Sequence, residues 1–174
     1  MNNIQSIPTY KQFLQVPLEL IRQEKLPHAI ILNATNGSPS IQIAKLMSLF
    51  LLCETQTACG ECNNCKMVNN NQHPDILFSY PYFNQKTGTT AEVFSDDWLE
   101  FISKHPSFLN EMWDTHLDSG NKQQKIFVAE SQRINTFLSL KPYMGKKKIV
   151  LVFQADSLVE QASNKLLKAI EEPA

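Results

Sequence analysis

The sequence predicts an α/β domain built on a parallel sheet, on three observations. Three short, continuous apolar runs, Ala29-Ile30-Ile31-Leu32, Ile76-Leu77-Phe78 and Ile149-Val150-Leu151-Val152-Phe153, have the composition of strands buried on both faces. Segments with helical apolar spacing lie between them, and strands alternating with helices imply parallel pairing. The chain has 174 residues and is 43% hydrophobic, which suits one domain with a core of its own.

Residues 9–25 read as helical, with Thr9 as N-cap and Phe13, Leu14, Leu20 and Ile21 apolar. Pro17 is expected to split this segment, standing in the first turn of a second helix. Lys25-Leu26-Pro27-His28 connects to the first strand, and residues 34–39 form a turn-rich loop. Residues 41–52 are helical and apolar on most sides, so that helix should be buried. The cysteine segment follows, and His73-Pro74-Asp75 leads into the second strand.

Residues 80–125 differ in character, being aromatic, polar and Gly/Asn-bearing, and read as an insertion. One short helix is expected around Asp96 to Ile102, another from Ser107 to about Asp114. Trp98, Phe101 and Trp113 form either a partner-binding face or a small satellite core. Regular patterning resumes near 126. Ile134, Phe137 and Leu138 follow helical spacing until Lys141-Pro142 stops them. Ser157-Leu158-Val159-Glu160 has the form of a capping box. The helix it opens should run to Glu172 before Pro173, turning Leu158, Ala162, Leu166, Ala169 and Ile170 to the core. A parallel sheet normally continues after such a crossover, so the pattern reads as a truncated domain.

A net charge of −1 gives no global basic field for nucleic acid. Lys146 to Lys148 read as a solvated turn before a strand, and His28 as a packing residue beside Pro27. Glu171 and Glu172 are adjacent, so they point to different helix faces and do not form a catalytic pair. No apolar run approaches the about 20 residues that span a bilayer, and no signal-peptide pattern follows Met1. The expected location is the cytoplasm, with no membrane partner and with reduced thiols.

Those thiols are clustered as Cys53-x5-Cys59-x2-Cys62-x2-Cys65. Four thiolates close a tetrahedral shell around Zn²⁺ at about 2.3 Å. A Cys-x2-Cys pitch lets a tight turn aim two sulfurs at one point, and Gly60 eases that turn. A full shell leaves no position for water, so the metal would staple a short excursion and perform no catalysis. Four free thiols, or an iron–sulfur cluster on the same ligands, are the competing readings. His73 is a substitute ligand on paper, but Pro74 and a strand follow it, which favours a structural role.

The loop after the first run, Ala34-Thr35-Asn36-Gly37-Ser38-Pro39-Ser40-Ile41, lies between a strand and a helix, where a phosphate-binding loop G-x-x-x-x-G-K-[ST] would stand. Counted back from Cys53, the glycine positions fall at Ala34 and Pro39, the lysine at Ser40 and the metal-binding hydroxyl at Ile41. Gly37 matches an extra glycine common in such loops. Pro39 removes an N–H donor, Ser40 cannot neutralise phosphate, and Ile41 cannot ligate a metal. The last strand ends Phe153-Gln154-Ala155-Asp156 where ATPases of this kind carry Asp-Glu, and Asp156 reads as part of the turn. ATP is therefore not expected as a cofactor, and no residue is expected to be catalytic.

Several segments together resemble the bacterial clamp-loader family of DNA polymerase III, an AAA+ family with delta-prime and gamma/tau members. Leu26-Pro27-His28-Ala29 resembles the family's lead into its first strand. Cys59-Gly60-Glu61-Cys62-Asn63-Asn64-Cys65 with His73-Pro74-Asp75 resembles its zinc module and exit. Phe137-Leu138-Ser139-Leu140-Lys141-Pro142 looks like the helix before its third strand. Asn164-Lys165-Leu166-Leu167-Lys168-Ala169-Ile170-Glu171-Glu172-Pro173 is similar to its "NALLKTLEEP" helix. The match covers about residues 7–79 and 126–174. The first cysteine gap is shorter than the family's, and 80–125 has no counterpart.

The resemblance implies a P-loop NTPase-like sheet with helices on both faces and a zinc module at 53–65. It implies a non-hydrolysing, delta-prime-type scaffold in a hetero-oligomeric ring with gamma/tau and delta subunits. That ring loads the sliding clamp onto primed DNA. The family's Arg finger lies beyond Ala174. The alternatives are an ATP-binding gamma/tau-type ATPase and a zinc-stabilised DNA-binding module. The acidic Glu54 and Glu61 and the few basic residues near the cysteines argue against the last of these.

Overall fold

The computed structural model describes residues 8–118, 120, 122–144 and 146–172, with side chains from Leu14 onward. Among them are seven α-helices and a two-stranded parallel sheet. In chain order these are α1 (Pro8–Arg22), α2 (Ser40–Leu52), α3 (Asn63–Asn69), β1 (Ile76–Ser79), α4 (Ser95–Lys104), α5 (Asn110–His116), α6 (Val128–Ser139), β2 (Ile149–Val152) and α7 (Glu160–Glu171). Ile76 pairs with Ile149 and Ser79 with Val152, in parallel register. The whole of residues 80–148 forms the crossover between the two strands.

Three apolar clusters hold these elements. Leu14 and Ile21 of α1 pack on Ile43, Leu46, Met47 and Phe50 of α2. Leu77 of β1, Ile134 of α6 and Leu166 of α7 form a second cluster, flanked by Val150 and Val152 of β2. The third is aromatic and belongs mostly to residues 80–125: Tyr80, Tyr82, Phe94, Trp98, Phe101, Phe108 and Trp113. Trp98, Phe101 and Trp113 are 1%, 1% and 0% exposed, so of the two readings of these aromatics the core is the one realised. Tyr80 stacks on Trp98 at 4.3 Å, and Trp113 meets both edge-on at 5.3 and 5.0 Å. Rings that alternate stacked and edge-on contacts align their quadrupoles favourably, and each buries a large area.

Five expectations fail. Residues 29–32 form no strand: Ile31 is 92% exposed and Ile30 is 44%. A strand is stable only in a ladder, and the sheet among the described residues holds only β1 and β2. Pro17 does not split α1, which runs unbroken through it, and Thr9 falls inside that helix rather than at its cap. The capping box does not form, because Val159 precedes α7 with no side-chain cap. The Ser157 N–H that the box would use is already engaged, donating to Gln154 O at 2.8 Å, and α7 begins only at Glu160, three residues past Ser157. Ile170 does not join the core; it is 49% exposed, while Ala162 and Leu166 are buried. Pro173, expected to end α7, lies outside the described residues.

Candidate functional site: the four-cysteine cluster and the 34–41 loop

The two features singled out in the sequence stand at opposite ends of α2, whose 13 residues span about 20 Å. At its C-terminal end, Cys53 caps the helix in extended conformation, donating N–H to Leu49 O at 2.9 Å. The chain then turns through Ala58 and Gly60, both at positive φ, and enters α3 with Cys62 as N-cap. Cys62 N–H points at Cys59 Sγ (3.5 Å), and Cys65 N–H at Cys62 Sγ (3.4 Å). Donors aimed at sulfur favour the thiolate form.

All four Sγ atoms lie within 4.8 Å of one another, and no disulfide joins them. Zn–S bonds of about 2.3 Å in a tetrahedron separate the sulfurs by about 3.8 Å. Cys53 and Cys59 stand 3.6 Å apart, Cys59 and Cys65 3.9 Å. The donor set therefore fits a closed tetrahedral metal site of the structural kind. Burial raises the Cys53 thiol, but hydrogen bonds from Thr55 and the nearby backbone outweigh it and bring it down to about 5. Hydrogen bonding from the backbone of Glu54 lowers Cys62, while burial pushes Cys65 up. A buried sulfur of this kind loses its proton to solvent readily only when a bound cation compensates the thiolate charge.

His73 is not part of the cluster. Its Nδ1 accepts Asp75 N–H at 3.1 Å, which places the ring proton on Nε2, facing Asn64 Oδ1 at 3.4 Å. Asn64 Nδ2 in turn donates to Leu52 O at 2.8 Å. Burial keeps His73 below its ordinary value, hence neutral. The chain His73–Asn64–Leu52 ties the module to the end of α2 and the start of β1. Asp75, fully buried, accepts N–H from Tyr143 (2.6 Å) and Met144 (2.8 Å), fixing the turn before β2.

At the N-terminal end of α2, Ala34 is exposed, Gly37 adopts φ +87° and Pro39 precedes the first helical residue, Ser40. Ile41 is 5% exposed and belongs to the aromatic cluster of the 80–125 segment. Phe153, just past β2, packs on the same cluster, 5.4 Å from Trp98 and 5.2 Å from Phe108. Three polar contacts join the loop to the same segment. Ser107 Oγ donates to Gly37 O (2.7 Å), Asn110 N–H donates to Asn36 Oδ1 (2.8 Å), and Asn36 Nδ2 faces the Glu111 carboxylate at 3.3 and 3.4 Å.

Sequence reasoning missed Asn36, Ser107 and the pair of buried Glu130 with half-buried Arg133. Arg133 grips the Glu130 carboxylate bidentately, at 2.6 and 3.0 Å, and donates to Phe78 O at 2.8 Å. Glu130 also accepts Ala91 N–H at 2.9 Å, anchoring the 80–125 segment to α6. The i, i+3 spacing of Glu130 and Arg133 was visible as a helix-surface pair; its burial was not.

The fold and the sulfur cluster define a class: a small parallel α/β domain carrying a four-cysteine module on the helix that follows its first loop. The chain belongs to the family described as DNA polymerase III, delta subunit, whose model matches residues 9–174. It is similar to a DNA polymerase III subunit delta' of Buchnera aphidicola subsp. Schizaphis graminum, 26% identical over 170 residues, covering 96% of this chain and 39% of that protein. The subunit delta' of Buchnera aphidicola subsp. Baizongia pistaciae is 28% identical over 150 residues, covering 84% and 35%. A DNA polymerase III subunit tau/gamma of Haemophilus influenzae is 22% identical over 156 residues, covering 88% and 17%. The chain thus spans less than two fifths of the length of these relatives. Among the described residues, no helix is long and apolar enough to cross a membrane.

Proposed function

We propose that this chain is part of a delta-prime-type clamp-loader subunit that hydrolyses no nucleotide and acts as a scaffold. In this reading residues 1–174 are the N-terminal part of an AAA+ domain, 53–65 its zinc module and 80–125 an insertion. Its partners are gamma/tau and delta subunits in a hetero-oligomeric ring, and through them the sliding clamp and primed DNA. Family membership and the delta' relatives support it.

One observation carries the non-hydrolysing part. Ile41, aligned with the residue that would hold Mg²⁺ in a working loop, is a core side chain packed among aromatic rings. Phe153, aligned with the acidic end of the β2-type strand, packs on the same rings. A site that has turned both positions into hydrophobic contacts has no group left to bind magnesium or to activate water.

Cys53, Cys59, Cys62 and Cys65 would hold one structural Zn²⁺, which supplies cross-linking and no reaction step. The chain's own part is to aim the sulfurs, through the turn at Gly60 and the N–H donors of Cys62 and Cys65.

Titration calorimetry of the intact protein with Mg-ATP tests the reading. No heat of binding at millimolar nucleotide is expected, and micromolar affinity would favour a gamma/tau-type ATPase instead.

A further inference from the structure

The three polar contacts between the 34–41 loop and the 80–125 segment lie 70 or more residues apart in sequence. They converge on one short stretch, residues 107–111, laid against the loop. Ser107 takes the Gly37 carbonyl. Asn36 is used from both ends of its amide, its oxygen accepting from Asn110 and its nitrogen facing Glu111. Leu109 approaches so closely that a Cβ built on Gly37 would stand 3.2 Å from its Cδ2. Beneath this stretch, Phe108 joins Ile41 and Phe153 in the aromatic cluster.

A phosphate-binding loop is normally shaped by its ligand, because its backbone groups converge on the phosphates and otherwise lack partners. Here the loop has partners supplied by the chain itself. Ser38 N–H closes on Thr35 O at 3.0 Å within the loop, and side chains and backbone from 107–111 cover it from outside.

We propose that residues 107–111 are a built-in ligand for the 34–41 loop, fixing its shape independently of nucleotide. The inference rests on reading that loop as a phosphate loop that has lost its function, and it deepens that reading. The loop is held shut by a surface of its own chain, so its conformation does not follow the nucleotide state of any neighbour. For a scaffold against which other subunits move, an invariant loop is the useful property. The segment's aromatic core serves to present this stretch at a fixed height.

The test is amide hydrogen exchange of the intact protein, comparing wild type with the double variant Asn36→Ala, Ser107→Ala. Both side chains are exposed, so the fold itself should tolerate their removal. Each lost hydrogen bond contributes modestly, and together they should speed exchange by about tenfold at the Ser38 amide, bonded within 34–41, and at the Asn110 amide, which loses its acceptor. Peptides from α6 and α7 should be unchanged. Unchanged exchange at 34–41, or acceleration spread evenly over the chain, would overturn the built-in ligand.

Millimolar Mg-ATP separates the two ideas. It should alter exchange in neither protein. Protection of 34–41 by ATP in wild type would overturn the non-nucleotide reading while leaving the comparison of variants intact. Protection in the double variant alone would overturn the claim that the loop's own residues exclude nucleotide, and would support residues 107–111 as its occupant.

Discussion

Two excursions leave the α/β frame, and they differ in what their own side chains can bury. Between residues 54 and 72 the buried residues are Asn64, Cys65 and Val68, so the stretch has almost no apolar interior. The 80–125 segment buries Tyr80, Tyr82, Phe94, Trp98, Phe101, Ile102, Phe108 and Trp113 in one cluster. A loop of some twenty residues cannot exclude water with its own side chains, and the metal cross-link proposed for its four cysteines would replace the missing core. A segment twice as long, rich in aromatic side chains that bury about 150–250 Å² each, can close on itself. The contrast teaches that length and aromatic content decide whether an excursion needs a ligand.

The strongest way to break this contrast is to remove one sulfur. Cys65 is wholly buried, and Cys65→Ser leaves three ligands and an incomplete shell. Structural zinc contributes about 10–16 kcal/mol in isolated finger peptides, far more than any other interaction available to residues 54–72. Zinc content measured by elemental analysis is expected to fall from about one per chain to near zero. Amides of α3 should then exchange at rates close to those of an unstructured chain. The near-ultraviolet circular dichroism of the aromatic cluster should persist. Its collapse in step with zinc loss would mean that the two excursions share one source of stability.

The complementary change is Trp113→Ala. This indole is fully buried, donates Nε1–H to Pro81 O at 2.8 Å and touches Tyr80, Trp98 and Phe101. Truncating a buried Trp costs about 3–5 kcal/mol, because contacts are lost and a cavity remains. Denaturant unfolding followed by aromatic circular dichroism should shift by that amount, with zinc content unchanged. Zinc release at the same denaturant concentration would show a single cooperative unit.

The sulfur site was legible in the sequence because its four ligands fall within 13 residues, and local spacing is what a sequence displays directly. β1, β2, α2, α4, α5 and α6 were legible for the same reason, each being a short periodic pattern. What failed depended on distant partners. The apolar run at 29–32 has strand composition, but composition cannot supply a neighbouring strand. Ser157 and Glu160 have capping-box spacing, but a short turn after β2 takes the Ser157 N–H onto Gln154 O. The burial of Glu130 is set by Ala91, 39 residues away, and its partner Arg133 reaches Phe78 across 55. Asn36 looked like an ordinary loop residue and Ser107 like the start of a helix that in fact begins at Asn110, since their partners lie 70 or more positions off. The Ser40 and Ile41 positions were visible as departures from a motif, and Ile41 as part of a buried helix; that its partners would be the aromatic rings of the 80–125 segment was not.

The finest test of the contrast lies in α2, which both excursions use. Its first turn gives Ile41 to the aromatic cluster, and its last carbonyl, on Leu52, accepts Asn64 from the cysteine module. Lys45 stands mid-helix and half-buried, and burial lowers its ammonium from 10.5 to about 8. The unfolded chain keeps that proton up to the ordinary value. Between pH 8 and 10.5 the unfolded state therefore binds more protons than the folded one, and the Lys45 contribution to stability rises with pH. Below pH 8 both states are protonated, and the desolvation cost is constant and at its maximum. Lys45→Met keeps the length of the side chain and removes the charge. Stability at pH 7 should increase on the order of 1 kcal/mol, read as a Tm gain of a few degrees. The gain over wild type should shrink between pH 8 and 10.5, a difference from which the titration of the cysteines cancels. Since α2 is common to both regions, aromatic unfolding and zinc release should move together, unlike in the two preceding variants. A gain equal at pH 7 and pH 10 would instead assign the effect to packing of the thioether.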